Sequence, residues 1–235
     1  MTLVLYERLC ADDRRPSPYC WRARLALAHK GLKPSYRAIK FTEAEKVAFS
    51  GQGKVPVLID GDSTVFDSWS IACYLEDTYP DAPSLFGGTG GRALARTLNH
   101  WIDKALQPAF APVVAPCLFK VAHPDDKDYY RRTREPRYGC TLEELAARRA
   151  EFRASLDKAF EPLRARLAES PYLCGIAPAY GDYLAFGEFQ WARCVDPEDV
   201  LCRDERDRDL RTWRARMLDL HDGLARQVTA FDSAA

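Results

Sequence analysis

The sequence carries no net charge and has no long apolar run. Its 235 residues include 34 Lys and Arg against 34 Asp and Glu, so no global field favours nucleic acid or an anionic membrane. No apolar stretch approaches the roughly 20 residues that cross a bilayer. The opening residues MTLVLYERLC lack the apolar core of a signal peptide. We therefore expect a cytoplasmic protein that binds neither nucleic acid nor membrane.

Patterns for metal, nucleotide and hydrolase sites are also missing. There is no CxxC pair, and the 4 histidines are dispersed, so we expect no metal. The glycines of SGQGKVP precede a strand-like run and those of GGTGGR follow none, which excludes P-loop and Rossmann contexts. A GxSxG elbow is absent. The 8 scattered cysteines indicate small core residues or unreactive thiols in a reducing compartment.

The segment SPYCWRARLALAHKGL, residues 17–32, is the most informative one that is present. Ser17 can cap a helix, Pro18 suits its first position and Gly31 ends it. The apolar residues recur at helical spacing, at Trp21, Leu25, Ala28 and Leu32. A helix start concentrates free N–H groups and partial positive charge, so this segment predicts either an ordinary cap or an anion site.

The elements around this helix follow a definite order. Strand-like runs precede and follow it at 3–5 and 36–39, and VPVLID and a short run at 64–66 then form a hairpin around Gly61. Another helix opens at Asp67 and Ser68.

Beyond a Pro- and Gly-rich boundary at Tyr79 to Gly91, the pattern is helical. We expect helices at 93–106, 142–169 with a bend near Pro162, 180–195 and 209–228. Two runs of mixed charge, DKDYYRRTREPR and RDERDRDLRTWR, are interpreted as solvated helix faces or loops rather than phosphate-binding patches.

Three coupled sites make the chain resemble the glutathione S-transferase superfamily: Ser17, Val55-Pro56 and Asp67-Ser68. The resemblance implies an α/β plus all-α fold. A thioredoxin-like glutathione-binding domain would span 1–80, a linker 81–90 and an all-helical acceptor domain 91–235.

The segments SPYCWR, VPVLIDG, DSWSIACYLEDTYP and DKDYYRRTREPRYGCTLEEL further resemble the bacterial β-etherase-type and fungal etherase-like (FuA) branch. The chain departs from the family pattern at one helix start. Where the superfamily usually has a Ser or Thr cap three residues before an Asp, it has Ala179 before Asp182.

The resemblance also implies glutathione as co-substrate, with no metal, in a homodimer that takes a small hydrophobic electrophile. Ser17 would donate a hydrogen bond to the glutathione thiolate, and lowering a thiol pKa by roughly two units takes about 2.7 kcal/mol. A cis Val55-Pro56 bond would let the Val55 backbone pair with the cysteinyl unit. Asp67 and Ser68 would bind the γ-glutamyl end or simply cap their helix.

Other assignments stay open at the level of sequence. Lys40 and Lys54 are candidates for the glycyl carboxylate or are solvated charges. Cys20 belongs to a redox-like SPYC motif or is a buried helix residue. Six aromatic residues are candidates for an acceptor pocket or for the core: Tyr19, Trp101, Phe110, Phe119, Tyr129 and Trp191.

We therefore expect a serine-type detoxifying transferase that attacks aromatic electrophiles, including aryl ethers. The alternative is a non-catalytic carrier of aromatic ligands with the same fold.

Overall fold

A mixed sheet forms the first part of the chain in a computed structural model that describes residues 2–231. Its strands are β1 (Leu3–Arg8), β2 (Ser35–Ile39), β3 (Val57–Asp60) and β4 (Ser63–Phe66). Their order is β2-β1-β3-β4, with β1 parallel to β2 and β3 antiparallel to both β1 and β4. All four predicted strands are present, although β1 runs on to Arg8 and β3 begins only at Val57.

Two helices belong to this part. Helix α1 (Pro18–His29) connects the parallel strands β1 and β2, which need a crossover because both run in one direction. Helix α2 (Ser68–Thr78) follows the β3–β4 hairpin. Trp21 and Leu25 in α1 are fully buried, because the sheet and a later helix cover the two sides of α1.

The rest of the described chain is helical. Its helices are α3 (Thr89–Trp101), α4 (Gln107–Val121), α5 (Lys127–Tyr138), α6 (Leu142–Ala147), α7 (Arg149–Ala159), α8 (Glu161–Glu169), α9 (Tyr180–Val195) and α10 (Arg208–Gly223). The predicted fold class is confirmed. No helix of the described residues has the length and apolarity to cross a membrane.

The helix expected at 93–106 does not end there. A π turn at Ile102–Leu106 carries it into α4, which continues to Val121 through Pro112 and Pro116. Prolines remove backbone donors and favour breaks, but α4 buries a continuous apolar segment that includes Phe110 and Leu118, and this burial outweighs the lost hydrogen bonds.

The long helix expected at 142–169 is three helices, α6 to α8. One break falls at Phe160, and the predicted bend near Pro162 is confirmed, since Pro162 lacks the N–H that would continue the ladder. The second break lies at Arg148, where the sequence has no proline that would predict it. Its N–H is shared between the carbonyls of Glu144 and Leu145.

Asp182 fixes the start of α9 even though Ala179 cannot cap it. The Asp182 carboxylate accepts hydrogen bonds from the Leu173 N–H at 2.7 Å, the Ala179 N–H at 3.2 Å and the Trp213 indole at 2.9 Å. Asp182 therefore accepts a hydrogen bond from its own helix start although the usual Ser or Thr cap is replaced by Ala179. Helix α9 is thereby held in the centre of the molecule.

The start of α1 lies directly on α9 at Gly187. A Cβ atom added at Gly187 would come within 2.7 Å of the Pro18 carbonyl oxygen. Only glycine allows this approach, so the position of Ser17 depends on packing between the two parts of the chain.

Candidate active site

A cleft of about 760 Å³ lies between the sheet part and the helical part. This volume is within the usual range of small-molecule sites. Three predicted groups of residues meet in it, namely Ser17, Val55-Pro56 and Asp67-Ser68. The sequence placed them in three separate segments, and the fold brings them to one cleft.

Ser17 is the N-cap of α1, as predicted. Its Oγ accepts a hydrogen bond from the Cys20 N–H at 3.3 Å, and the side chain is half-buried at the cleft. Pro18 stands at the first helical position and has no N–H, so fewer backbone donors than usual lie beside the Ser17 hydroxyl at this helix end. The helix start therefore presents one hydroxyl and a partial positive charge to a ligand.

Cys20 is buried beneath this position, at 3% exposure. Burial raises the pKa of its thiol to about 11, against a hydrogen bond from Ser17 that lowers the pKa. The thiol is thus protonated at neutral pH. The interpretation of Cys20 as a buried helix residue is confirmed.

The Val55-Pro56 peptide bond is cis, as the resemblance implied. It lies immediately before β3, whose paired register with β1 begins at Val57. Both residues line the cleft. A strand-like segment at the wall of a cleft can pair with an extended peptide through its backbone.

Asp67 caps α2 with a single carboxylate oxygen. Its Oδ1 accepts from the Trp69 and Ser70 N–H groups, both at 3.0 Å, and its backbone has a φ of 70°. Ser68 is buried, and its carbonyl accepts from the Tyr180 hydroxyl at 2.8 Å. The capping role of Asp67 is therefore observed, and the same helix start lines the cleft.

The two candidate lysines differ. Lys54 lines the cleft. Lys40 is outside its lining, and its Nζ pairs with Asp125 at 2.5 Å on the helical part. Gln52, which the sequence analysis missed, folds the loop before Lys54 by accepting from the Lys54 N–H and donating to the Lys54 carbonyl.

Of the six aromatic candidates, Tyr19, Tyr129 and Trp191 line the cleft. The other three lie outside its lining. Phe110 is fully buried against Phe160 and Phe189, with ring centroids 5.7 and 5.2 Å away. Phe119 stacks on Tyr130 and lies beneath Arg131, while Trp101 is half-buried at the end of α3.

Seven arginine and aromatic residues of the lining were not predicted as site residues: Arg8, Phe41, Phe66, Tyr130, Arg134, Arg137 and Tyr138. Four of them belong to α5, and three of these, Tyr130, Arg134 and Arg137, lie within the run DKDYYRRTREPR that was interpreted as a solvated face or loop. The spacing of Tyr130, Arg134 and Tyr138, one helical turn apart each time, was the signal available. It indicates one helical face that combines aromatic and basic side chains.

A buried ionic cluster lies behind Tyr19. Arg22 contacts Glu188 at 2.9 Å and Asp103 at 2.9 Å, and the guanidinium also lies over the Tyr19 ring at 4.6 Å. Burial raises the pKa of Glu188 to about 7, against the lowering effect of Arg22. Burial likewise raises the pKa of Tyr19 to about 12, so this phenol is neutral at physiological pH.

One group of potential metal ligands lies away from the cleft. Ligand atoms of Asp157, Cys202 and Asp207 lie within 4.8 Å of one another. Arg164 pairs with Asp157 at 2.5 Å and with Asp207 at 2.7 Å. This guanidinium already supplies the positive charge that the carboxylates need.

Comparison with known proteins identifies the family. The family model described as glutathione S-transferase, C-terminal domain, matches residues 93–220, and the N-terminal domain model matches residues 16–78. Glutathione S-transferase 1 of Dianthus caryophyllus is 34% identical over 97 residues, which cover 39% of this chain and 44% of that protein. The chain spans about half the length of the curated relatives that it matches.

Two solved structures have a similar fold. A glutathione S-transferase of Ceriporiopsis subvermispora in complex with glutathione aligns with a TM-score of 0.81 at 24% identity, over 94% of this chain and 97% of that one. Glutathione transferase GSTFuA2 of Phanerochaete chrysosporium aligns with a TM-score of 0.76 at 24% identity, over 97% of this chain and 95% of that one. With both family models matching in order along the sequence, the chain belongs to the glutathione S-transferase family.

Proposed function

We propose that this chain is a serine-type glutathione transferase. The observation that carries the proposal is the meeting of Ser17, cis Val55-Pro56 and Asp67-Ser68 in one cleft. Ser17 donates its O–H to the glutathione sulfur, and the α1 start adds partial positive charge. Both effects favour the thiolate, which is the nucleophile.

The same proposal assigns a binding residue to each of the other parts of glutathione. The Val55 backbone pairs with the cysteinyl unit, Lys54 faces the glycyl carboxylate, and Asp67 with Ser68 holds the γ-glutamyl end at the start of α2. The glutathione-binding domain is then 1–80, joined by 81–90 to an acceptor domain at 91–235. Calorimetry tests this directly, because absence of binding at millimolar glutathione would contradict it.

The acceptor in this proposal is a hydrophobic electrophile, with an aromatic one preferred. Rings of Tyr19, Tyr129 and Trp191 on the cleft wall support it. One reaction of this kind is aryl ether cleavage, in keeping with the etherase-like resemblance. The thiolate attacks the carbon next to the ether oxygen, a C–S bond forms, the C–O bond breaks, and the phenolate leaves with the electron pair and takes a proton from water.

Turnover decides between this function and that of a non-catalytic carrier. We expect conjugation in a panel that combines glutathione with model electrophiles, including a β-aryl ether. Ligand-binding titrations run beside the panel would reveal a carrier, which binds the aromatic compounds without converting them.

We further propose a homodimer. Phe49 and Leu94 are 53% and 74% exposed, and a second copy would cover such apolar side chains. Sedimentation analysis tests this, since a monomer at micromolar concentration would contradict it.

A further inference from the structure

Arg134 and Arg137 are the most conspicuous charges in the cleft that the proposed function leaves unused. They lie one turn apart on α5, and both line the cleft. Neither forms an ion pair with a carboxylate of the described residues, 2–231. Arg131 on the same helix differs, because it pairs with Glu135 at 2.6 Å and with Glu143 at 2.7 Å.

Aromatic rings accompany these guanidinium groups. Arg134 lies 5.0 Å from the centroid of Tyr130 and 5.7 Å from that of Phe41, and both rings line the cleft. Its Nη1 donates to the Thr133 hydroxyl at 2.9 Å, which holds it to this side of the helix. Tyr138 lines the cleft next to Arg137. This wall therefore offers flat apolar surface and cationic donors side by side.

The charge of the whole cleft exceeds what glutathione needs. Arg8, Lys54, Arg134 and Arg137 are cationic, and Asp67 is the one carboxylate in the lining, which leaves a net charge of +3. Glutathione with an ionised thiol has two carboxylates, a thiolate and one ammonium, a net charge of about −2 at neutral pH. After glutathione binds, the lining keeps one unbalanced positive charge, and two of its four cations, Arg134 and Arg137, lie on the helical part.

We propose that the acceptor substrate is an aromatic electrophile that carries a carboxylate, and that Arg134 and Arg137 bind this group. The inference rests on the proposed transferase function and narrows its substrate class. The aromatic ring packs among Tyr130, Tyr138 and Trp191, and the carboxylate receives charge-assisted hydrogen bonds from the two guanidinium groups. The guanidinium groups are specificity determinants that do not touch the reacting sulfur.

A matched pair of acceptors tests the proposal. The probes are 4-chloro-3-nitrobenzoate and its neutral amide, 4-chloro-3-nitrobenzamide. In both, the thiolate attacks the ring carbon that bears chlorine, a C–S bond forms, and chloride leaves with the C–Cl electron pair. After division by the uncatalysed rate, we expect kcat/KM to favour the benzoate by about 10- to 100-fold, the scale of hydrogen bonds to a charged group.

Variants locate the effect. Arg134→Gln combined with Arg137→Gln should remove most of the benzoate preference and leave the benzamide rate within about threefold. Arg132→Gln is the matched control, because Arg132 is an exposed arginine of the same helix outside the cleft lining. It removes one charge from α5 and should leave the preference intact.

Two results would overturn the proposal. The first is a wild-type protein that treats benzoate and benzamide alike. The second is a double variant that loses both substrates equally while its KM for glutathione rises, since the arginines would then serve the glycyl carboxylate.

A binding experiment tests the carboxylate site independently of the proposed transferase activity. Calorimetric titration of both probes into protein saturated with S-methylglutathione, which has no free thiol, measures the charge preference without turnover. Preferential benzoate binding that disappears in the double variant supports the carboxylate site even if no turnover is found. Equal binding of the two probes overturns the site even if the enzyme is active.

Discussion

Ser17 combines two roles at one atom. Its Oγ accepts from the Cys20 N–H at 3.3 Å, which caps α1, and the O–H is left to donate to a thiolate. Replacing Ser17 by Ala removes both, so the loss of the cap, about 1 kcal/mol, must be separated from the loss of the donor. A variant that keeps the hydroxyl makes this separation possible.

We expect Ser17→Ala to lower turnover about 10- to 1,000-fold and to move the pH–rate profile to higher pH, because the bound thiol loses an anion-stabilising donor. Ser17→Thr retains a hydroxyl and a cap and should preserve most of the activity. Ser17→Cys should gain thiol-transfer activity, since a cysteine at a helix start becomes a reactive thiolate. Steady-state kinetics from pH 5 to about 9 check all three. Unchanged turnover of Ser17→Ala across this range would leave activation to the backbone alone.

Glu188 makes the folded state sensitive to pH. Burial raises the pKa of this carboxyl from its ordinary value of 4.5 to about 7, although the nearby Arg22 charge lowers it. A raised carboxyl pKa stabilises the protein at pH below the ordinary value, and that contribution is lost as pH rises towards the folded value. Relative to Glu188→Gln, which keeps the size of the side chain, wild-type protein should lose up to about 3 kcal/mol of unfolding free energy between pH 4.5 and 7.

Urea denaturation of both proteins at several pH values measures this difference, because titrating groups that do not contact Glu188 or its partner Arg22 cancel in the comparison. A wild-type protein that gains stability relative to Glu188→Gln over the same interval would mean that Glu188 is ionised and stabilised by Arg22.

At the scale of elements, the contact between α1 and α9 sets the position of the site. A Cβ at Gly187 would lie 2.7 Å from the Pro18 carbonyl oxygen. This is a backbone atom, so a change of side-chain rotamer cannot relieve the contact. Gly187→Ala should therefore destabilise the protein by about 1–3 kcal/mol and lower turnover, because the α1 start must shift. Gly90→Ala is the control, since a Cβ there meets nothing within 4 Å. It should be neutral or gain up to about 1 kcal/mol, as expected of alanine in a helix.

Thermal unfolding and glutathione calorimetry measure both glycine variants. Equal stability and equal affinity in Gly187→Ala and Gly90→Ala would show that the α1 start has room to move, and that its place is not fixed by α9.

The sequence predicted elements wherever a local pattern determines them. Ser17, Pro18 and Gly31 bound α1 through capping and turn chemistry, and α9 was predicted at the residues where it is found. The join of α3 to α4 and the break at Arg148 were missed, because burial of α4 and the way in which the helices pack decide them. These are tertiary effects that no window of residues contains.

In the cleft, too, residues in local motifs were predicted and residues placed by tertiary packing were not. Ser17, Val55 and Asp67 were predicted because each lies in a local motif. Phe110, a candidate for the pocket or the core, lies outside the cleft lining, and Tyr130, which was not a candidate, lines the cleft, although both are buried aromatic residues on helices. Only the rotation of α4 and α5 about their axes decides which of the two rings faces the cleft, and that rotation follows from contacts across the whole helical part.

At the scale of the whole molecule, the cleft exists because the two parts meet, and its walls differ. The sheet part contributes Ser17, Lys54 and Asp67, which suit a polar peptide, while the helical part contributes rings such as Tyr129 and Trp191 beside the two arginines of α5. A ligand that spans both walls should therefore be half polar and half aromatic.

This asymmetry predicts the order of acceptors. Apolar burial stabilises a bound acceptor by about 25 cal/mol per Å² removed from water, so a two-ring aryl ether gains more than a small haloalkane from the same wall. We expect a higher kcat/KM for the aryl ether once each rate is divided by its uncatalysed rate. Trp191→Ala should reduce this ratio, because Trp191 lines the cleft, whereas Ile176→Ala, which shortens a side chain that is 92% exposed and outside the lining, should leave it unchanged. A ratio of one or below in wild-type protein would contradict the aromatic pocket and leave the glutathione site untouched.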